Sequence, residues 1–249
     1  METRRKFQGV LNILSFNRHF YIIGLLALGA LIITWLIFSW PHTALWVIIW
    51  AFVYGLVAPL LVSAYVYDFS GFYSFGWLKN VVEDPNRIRS IVNINAGFDE
   101  TSFIIRQNFP GADLKVFDFY NSKQHTEPAI KRARKVSSVY PDTRQMPSHS
   151  IPLETESADL VFLLSAVHEI RSHVERVAFL KECRRICKPG GRVIMVEHLR
   201  DVPNFLAFTI GFTHFFSRAT WKDAFMRAGF SRFEEIKFTP FMSIFRCSP

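Results

Sequence analysis

Between Tyr21 and Tyr67 the chain carries no Asp, Glu, Lys or Arg. Two apolar runs, Phe20 to Trp40 and Ala44 to Val66, are separated only by the turn-like Ser39-Trp40-Pro41-His42-Thr43. Each run is about 21 residues or slightly more. At ~1.5 Å rise per residue that spans ~30 Å, the thickness of a bilayer's hydrocarbon core. The pattern predicts a transmembrane helical hairpin over residues 20–67, with Pro59 as a kink in its second helix. A signal-peptide core would be shorter and end at a small-residue cleavage site, and none stands out. A pair of buried core helices is the other reading of the same runs.

After Asp68 the pattern changes. Residues 68–89 form a joint rich in aromatics and glycine, suited either to the membrane interface or to a lid over the domain. Strand-like and helix-like runs then alternate. Strands are predicted at Ser90 to Asn95, Leu114 to Phe119, Asp159 to Val167 and Arg192 to Glu197. Helices are predicted at Glu100 to Asn108, Glu127 to Ser138, Glu175 to Cys187 and Thr220 to Ala228. Lys188-Pro189-Gly190-Gly191 should end the third of these, because Pro and Gly do not extend a helix cheaply. Phe233 to Thr239 and Phe241 to Cys247 close the chain as a strand pair. The alternation predicts an α/β fold, a doubly wound and mostly parallel sheet with terminal antiparallel strands. The expected organisation is a basic N-terminal segment (1–19), the hairpin (20–67), the joint (68–89) and the α/β domain (90–249).

Charge adds orientation. The 249 residues carry a formal net charge of +8. Arg4, Arg5, Lys6 and Arg18 precede the first helix and the connecting turn has no Lys or Arg, so both termini and the domain are expected on the cytoplasmic side. Beside a membrane hairpin, the positive charge points to anionic lipid rather than nucleic acid. The crowded Lys131, Arg132, Arg134 and Lys135 are either a solvated helix face or a lipid-facing patch. Small residues in the hairpin (Gly24, Ala27, Gly29) would permit homo-oligomerisation through helix pairing. Cys183, Cys187 and Cys247 make no metal-binding pattern with the histidines and read as reduced packing residues.

The ordered set Ser157-Ala158-Asp159-Leu160-Val161-Phe162, then Phe179 through Lys188-Pro189-Gly190-Gly191-Arg192-Val193, then Ala228-Gly229-Phe230, resembles the class I S-adenosylmethionine-dependent methyltransferases over roughly residues 85–249. The resemblance implies their Rossmann-like sheet and S-adenosylmethionine as cofactor. Their acidic strand residue and Gly-x-Gly-x-Gly loop correspond to Val92-Asn93-Ile94-Asn95-Ala96-Gly97-Phe98-Asp99. Only the middle glycine is kept; Asn93 replaces the acid, and Asn95 and Asp99 replace glycines. The resemblance therefore assigns cofactor binding to Asn93, Asn95 and Gly97. It adds Asp118 for the ribose hydroxyls and Asp142 near the adenine. The spacing from Gly97 to Asp118 would equally suit a dinucleotide.

In an open parallel sheet, ligands meet at the carboxyl ends of the strands. Two polar clusters fall there: His168-Glu169-Ile170-Arg171, and Glu197-His198-Leu199-Arg200-Asp201 with Asn204. His168 and His198 titrate near neutral pH, so either could be a catalytic base, with Glu169 and Glu197 orienting them. Arg171, Arg200, Asp201 and Asn204 are candidates for substrate binding. An ion-pair and capping network would use the same residue types. The uncharged run from Asn204 to Phe216 is too short to span a bilayer. It reads as an apolar wall for an amphipathic acceptor, or as an ordinary buried helix. The expected function is methyl transfer to a lipophilic, membrane-resident acceptor (lipid, quinone precursor or long-chain phenol). A catalytically inactive methyltransferase-like membrane scaffold is the alternative.

Overall fold

The computed structural model describes residues 4–125, 127–136 and 139–249. The chain opens with a helix that the apolar pattern did not indicate, α1 (Gln8–Phe16). The apolar runs form α2 (Arg18–Phe38) and α3 (His42–Ala64), both long and apolar enough to cross a membrane. A π-helical turn over Tyr65–Phe69 leads out of α3.

Seven strands follow: β1 (Ser90–Asn95), β2 (Asp113–Asp118), β3 (Arg144–Gln145), β4 (Ala158–Leu164), β5 (Cys187–His198), β6 (Arg232–Lys237) and β7 (Met242–Ser248). They form one sheet in the order β3-β2-β1-β4-β5-β7-β6. β1 to β5 are mutually parallel, while β7 runs antiparallel to both β5 and β6. The helices of the domain are α4 (Ser102–Asn108), α5 (Pro128–Ala133), α6 (His173–Ile186), α7 (Val202–Phe208) and α8 (Arg218–Arg227). The expected doubly wound sheet with its terminal antiparallel pair is present, with the short edge strand β3 in addition. α5 is shorter than the basic helix expected over Glu127 to Ser138. Ser137 and Ser138 lie outside the described residues.

Alternation along the strands sends the two sides of the sheet into different cores. Val161, Leu163, Val193 and Met195 pack with Phe179, Leu180 and Cys183 of α6 and Trp221 and Phe225 of α8. Leu160, Phe162, Ile194 and Val196 face the other way, where α4 supplies Ile105. The rest of that face is covered by the aromatic joint: Phe72, Phe75, Trp77 and Leu78 are all buried there. The joint is therefore part of the core, held partly by the Trp77 indole N–H donating to the Phe72 carbonyl at 2.9 Å.

α6 stops at Ile186, and β5 begins at once, so Lys188-Pro189-Gly190-Gly191 is not a free turn but the start of the strand, at a register irregularity against β4. A Cβ at Gly191 would lie 2.8 Å from the Asp159 carbonyl oxygen and 2.9 Å from the Cys187 Sγ. Both are fixed, so a side chain there must push two buried strands apart. Gly191→Ala is expected to destabilise the domain by about 1–3 kcal/mol, the usual penalty for overpacking. The check is a lower Tm of the detergent-solubilised variant; an unchanged Tm would mean the strands yield freely.

Candidate active site

The carboxyl ends of β4 and β5 are neighbours in the sheet, and they bring Glu197 against the turn that follows β4. Glu197 is 1% exposed. One carboxylate oxygen accepts the backbone N–H of Val167 at 3.0 Å and of His168 at 3.3 Å, and the other meets His168 Nδ1 at 2.7 Å. Three partners for one buried carboxylate fix the His168 ring and leave its Nε2 as the outward atom. Burial alone would lower the His168 pKa. The charge and hydrogen bond of Glu197, with Glu169 and Glu127 behind them, outweigh burial and raise it to about 9.

Around Nε2 lie the expected Glu169 and two groups that the sequence pattern did not single out, His214 and Glu127. Glu169 Oε1 is 3.6 Å away, and the His214 ring stands edge-on with centroids 5.0 Å apart. His214 Nδ1 is 3.0 Å from Glu127, whose carboxyl is held below its usual range by that hydrogen bond. His168, Glu169 and His214 each offer one atom, all within 4.8 Å of one another. A divalent cation could use this donor set in place of a proton at Nε2. The only sequence signal for His214 was a histidine inside an otherwise apolar run, and Glu127 had none.

His198 stands apart from this cluster. It is 5% exposed and stacked on Phe215 at 4.9 Å. Its Nε2 meets the Tyr67 hydroxyl at 2.8 Å, and its Nδ1 meets the Phe241 carbonyl at 2.9 Å and Asn204 Oδ1 at 3.2 Å. Burial pulls its pKa down to about 4. With both ring nitrogens occupied and the ring neutral, it packs the joint against the sheet and has no atom to offer an acceptor.

The expected substrate-binding residues build the segment after β5. Arg171 donates to the carbonyls of His214 (2.6 Å) and His168 (3.2 Å). Arg200 donates to the Phe215 carbonyl at 2.8 Å and also to the Thr213 carbonyl. Asp201 caps α7 by accepting the Asn204 N–H at 3.1 Å, and the buried Asn204 amide donates back to Asp201 at 2.8 Å. These four side chains position the walls of the site.

At the same carboxyl edge of the sheet, β1 and β2 make a cradle. Gly97 has φ +80°, and a Cβ there would collide with Arg134 and Asp118. Asn95 Oδ1 accepts the Gly97 N–H at 2.7 Å, while its buried Nδ2 has no partner among the described residues. Asp118 holds Arg134 Nη1 at 2.6 Å and the Gln145 amide, and the Arg134 guanidinium lies 4.1 Å from the Tyr120 ring centroid. A cavity of about 440 Å³ beside it is lined by Phe119, Tyr120, Met146, Pro147 and Ser148. Two expected cofactor residues are elsewhere. Asn93 turns to α4, donating to Thr101 at 3.1 Å and Ser102 at 2.8 Å. Asp142 lines a separate cavity with Leu114, Lys115 and Arg144. It is Met146 to Ser148, just past β3, that reach the cradle's flank.

Residues 112–195 match the family model described as a methyltransferase domain. The chain is 30% identical over 154 residues to a highly reducing polyketide synthase of Pyrenophora dematioidea, covering 56% of this chain and 6% of that protein. It is 27% identical over 157 residues to the demethylmenaquinone methyltransferase of Thermotoga maritima, covering 59% and 62%. It thus spans less than two thirds of either relative. Among solved structures it is similar to PigF with SAH, at a TM-score of 0.51 and 18% identity over 77% of this chain and 60% of that one. The matched region is a methyltransferase domain, and the sheet as a whole has the class I S-adenosylmethionine-dependent methyltransferase fold. Besides that fold, this chain has an apolar helical pair ahead of its first strand, and Asn95 and Asp99 flank Gly97 at the end of β1.

Glu197→Gln removes the charge that raises the His168 pKa. The His168 titration, followed by NMR of histidine-labelled protein, is expected to fall from about 9 to below the ordinary 6.5. The wild-type pair stabilises the fold fully below pH 6.5, and that contribution is lost as pH rises through about 9. The variant should therefore lack the alkaline decline in Tm. An unmoved titration would rule out Glu197 as the cause.

Proposed function

We propose that this protein transfers a methyl group from S-adenosylmethionine to a weakly acidic hydroxyl on a lipophilic acceptor drawn from the bilayer. The observation that carries the reading is the His168–Glu197 pair, set at the carboxyl ends of adjacent strands in the same sheet as the Gly97–Asp118 cradle. When bound, S-adenosylmethionine supplies an electrophilic methyl on a sulfonium, so the protein need only align the acceptor, exclude water and take a proton.

The cradle has what the adenosyl end requires: a backbone stripped of Cβ at Gly97, a carboxylate at Asp118, and the unpartnered Asn95 amide. Arg134 now occupies that space and must swing aside, releasing Asp118. At the other site, His168 Nε2 takes the acceptor's proton while Glu197 holds Nδ1 and stabilises the imidazolium that forms. A base whose conjugate acid has a pKa of about 9 is matched to a phenol-like hydroxyl, whose reference pKa is about 10. The apolar hairpin and the Asn204 to Phe216 wall support a greasy acceptor. A quinone precursor or long-chain phenol fits both requirements, and the likeness to a demethylmenaquinone methyltransferase points the same way. Integral membrane placement with a cytoplasmic domain accords with the flanking basic residues and the two long apolar helices.

Calorimetry with S-adenosylhomocysteine on the detergent-solubilised protein is the first test: no binding at millimolar ligand would overturn the reading in favour of an inactive scaffold. Arg134→Gln is expected to tighten that binding roughly fivefold, the factor that about 1 kcal/mol of displaced ion pair represents. Weaker binding would mean Arg134 holds the cofactor instead of yielding to it.

His168→Gln should cut turnover by about 10²–10⁴-fold with cofactor affinity intact. Because His168 must be neutral to accept a proton, kcat/KM in the wild type should climb with pH and level off above about 9. Turnover abolished by a chelator and restored by a divalent cation would replace the proton-acceptor role with a metal on the same groups.

A further inference from the structure

The apolar segment after β5 meets α3 at an unexpected level. The Tyr54 hydroxyl donates to the Leu206 carbonyl. Tyr54 lies ten residues before the end of α3 at Ala64, which is about 15 Å along the helix axis. No charged residue intervenes between Tyr54 and Tyr67, and Val57 and Leu61 remain exposed on that stretch. If the apolar surface of α3 is in lipid, the aqueous boundary is near Asp68 and Tyr54 is close to mid-bilayer. Even a full helical turn of side-chain reach, ~5 Å, leaves Leu206 well below the headgroups.

The segment is built for that place. Residues 202–213 contain no Asp, Glu, Lys or Arg. Their backbone groups are largely satisfied within α7 and the 3-10 turns of Thr209–His214, as hydrocarbon demands. Val202, Phe205, Leu206 and Ile210 are 69%, 50%, 54% and 83% exposed, a continuous apolar surface beside α3 with nothing from the domain over it. Charge marks where the segment leaves and returns. Asp201 pairs with Lys237 at its start, and Arg200 reaches across to the carbonyls of Thr213 and Phe215 at its end.

We propose that residues 202–213 form a re-entrant membrane element lying in the cytoplasmic leaflet against α3. This rests on the reading of α2 and α3 as membrane spans. Its returning end carries His214, which packs on His168, so the segment runs from the leaflet to the proton-accepting site. An acceptor in that leaflet could enter without crossing water.

The three native cysteines are all buried, so a single introduced cysteine can be spin-labelled in the full chain reconstituted into phospholipid nanodiscs. Ile210→Cys and Val202→Cys report on the segment, Val57→Cys on α3, and Lys222→Cys on the aqueous face of α8. Collision with oxygen against a water-soluble nickel chelate gives the depth of each label. The expected result is that Ile210→Cys matches Val57→Cys, oxygen-accessible and chelate-protected, with Val202→Cys shallower. A water-exposed Ile210→Cys beside a lipid-exposed Val57→Cys would overturn the re-entrant element and leave the spans standing. Water exposure at both would overturn the membrane reading and the proposal with it.

Discussion

Everything proposed for the active site depends on one buried carboxylate. Glu197 is removed from water at the end of a central strand, where an ionised group is costly unless fully partnered. It meets that demand with two backbone N–H groups and the His168 ring. The same three bonds that make the burial tolerable fix the turn after β4, set the histidine's orientation and raise its proton affinity. Structure and chemistry are therefore not separable here, because any change that relaxes Glu197 also frees His168.

A second set of contacts ties the apolar helices to the domain. Asp68 accepts the N–H groups of Gly9 and Val10 at 2.8 and 2.9 Å. Glu100 takes Arg4 at 2.7 Å, Gln8 at 2.6 Å and the Tyr73 hydroxyl at 2.6 Å. Arg132 of α5 reaches the Phe16 carbonyl and His19. The neighbour of α5 that sits in the Gly97–Asp118 cradle, Arg134, is thus two residues from a contact with the first apolar helix. The basic cluster read as a solvated or lipid-facing patch is split: Lys131 and Lys135 stay exposed, while Arg132 and Arg134 take these two inward tasks. Arg132 and Arg134 point to protein partners, a distinction that charge counting along a helix does not reveal.

Strand and helix positions were legible because burial imposes a period on the sequence. The cores of β4 and β5 are near-continuous apolar runs, as strands covered on both faces must be, and β1 is as buried although Asn93 and Asn95 interrupt it. Asn95, Gly97 and Asp118 were legible because a known loop pattern gave them a register, and they do share one cradle. Asn93 and Asp142 followed from the same register and lie elsewhere. The side-chain direction of Asn93 depends on which face of β1 α4 covers, and the chain around Asp142 turns before β3 in a way no local pattern records. Of the two histidines that looked alike after strands, only the packing of Tyr67, Phe215 and Phe241 around His198 separates them. His214 and Glu127, far apart in sequence, become neighbours of His168 only when the segment after β5 folds back.

Apart from α1 and β3, the sequence by itself determined the main elements, their order, the uncharged helical pair and the residue types gathered at the strand ends, since each follows from local periodicity and composition. Tertiary structure alone decided which of those residues face one another. It gave His168 a buried acid and His198 a closed shell of rings, put Arg134 over Gly97, and laid residues 202–213 against the middle of α3. The physical reason is the same in each case: proton affinity, solvent access and depth depend on neighbours brought from as far as 152 positions away, and no local pattern carries that information.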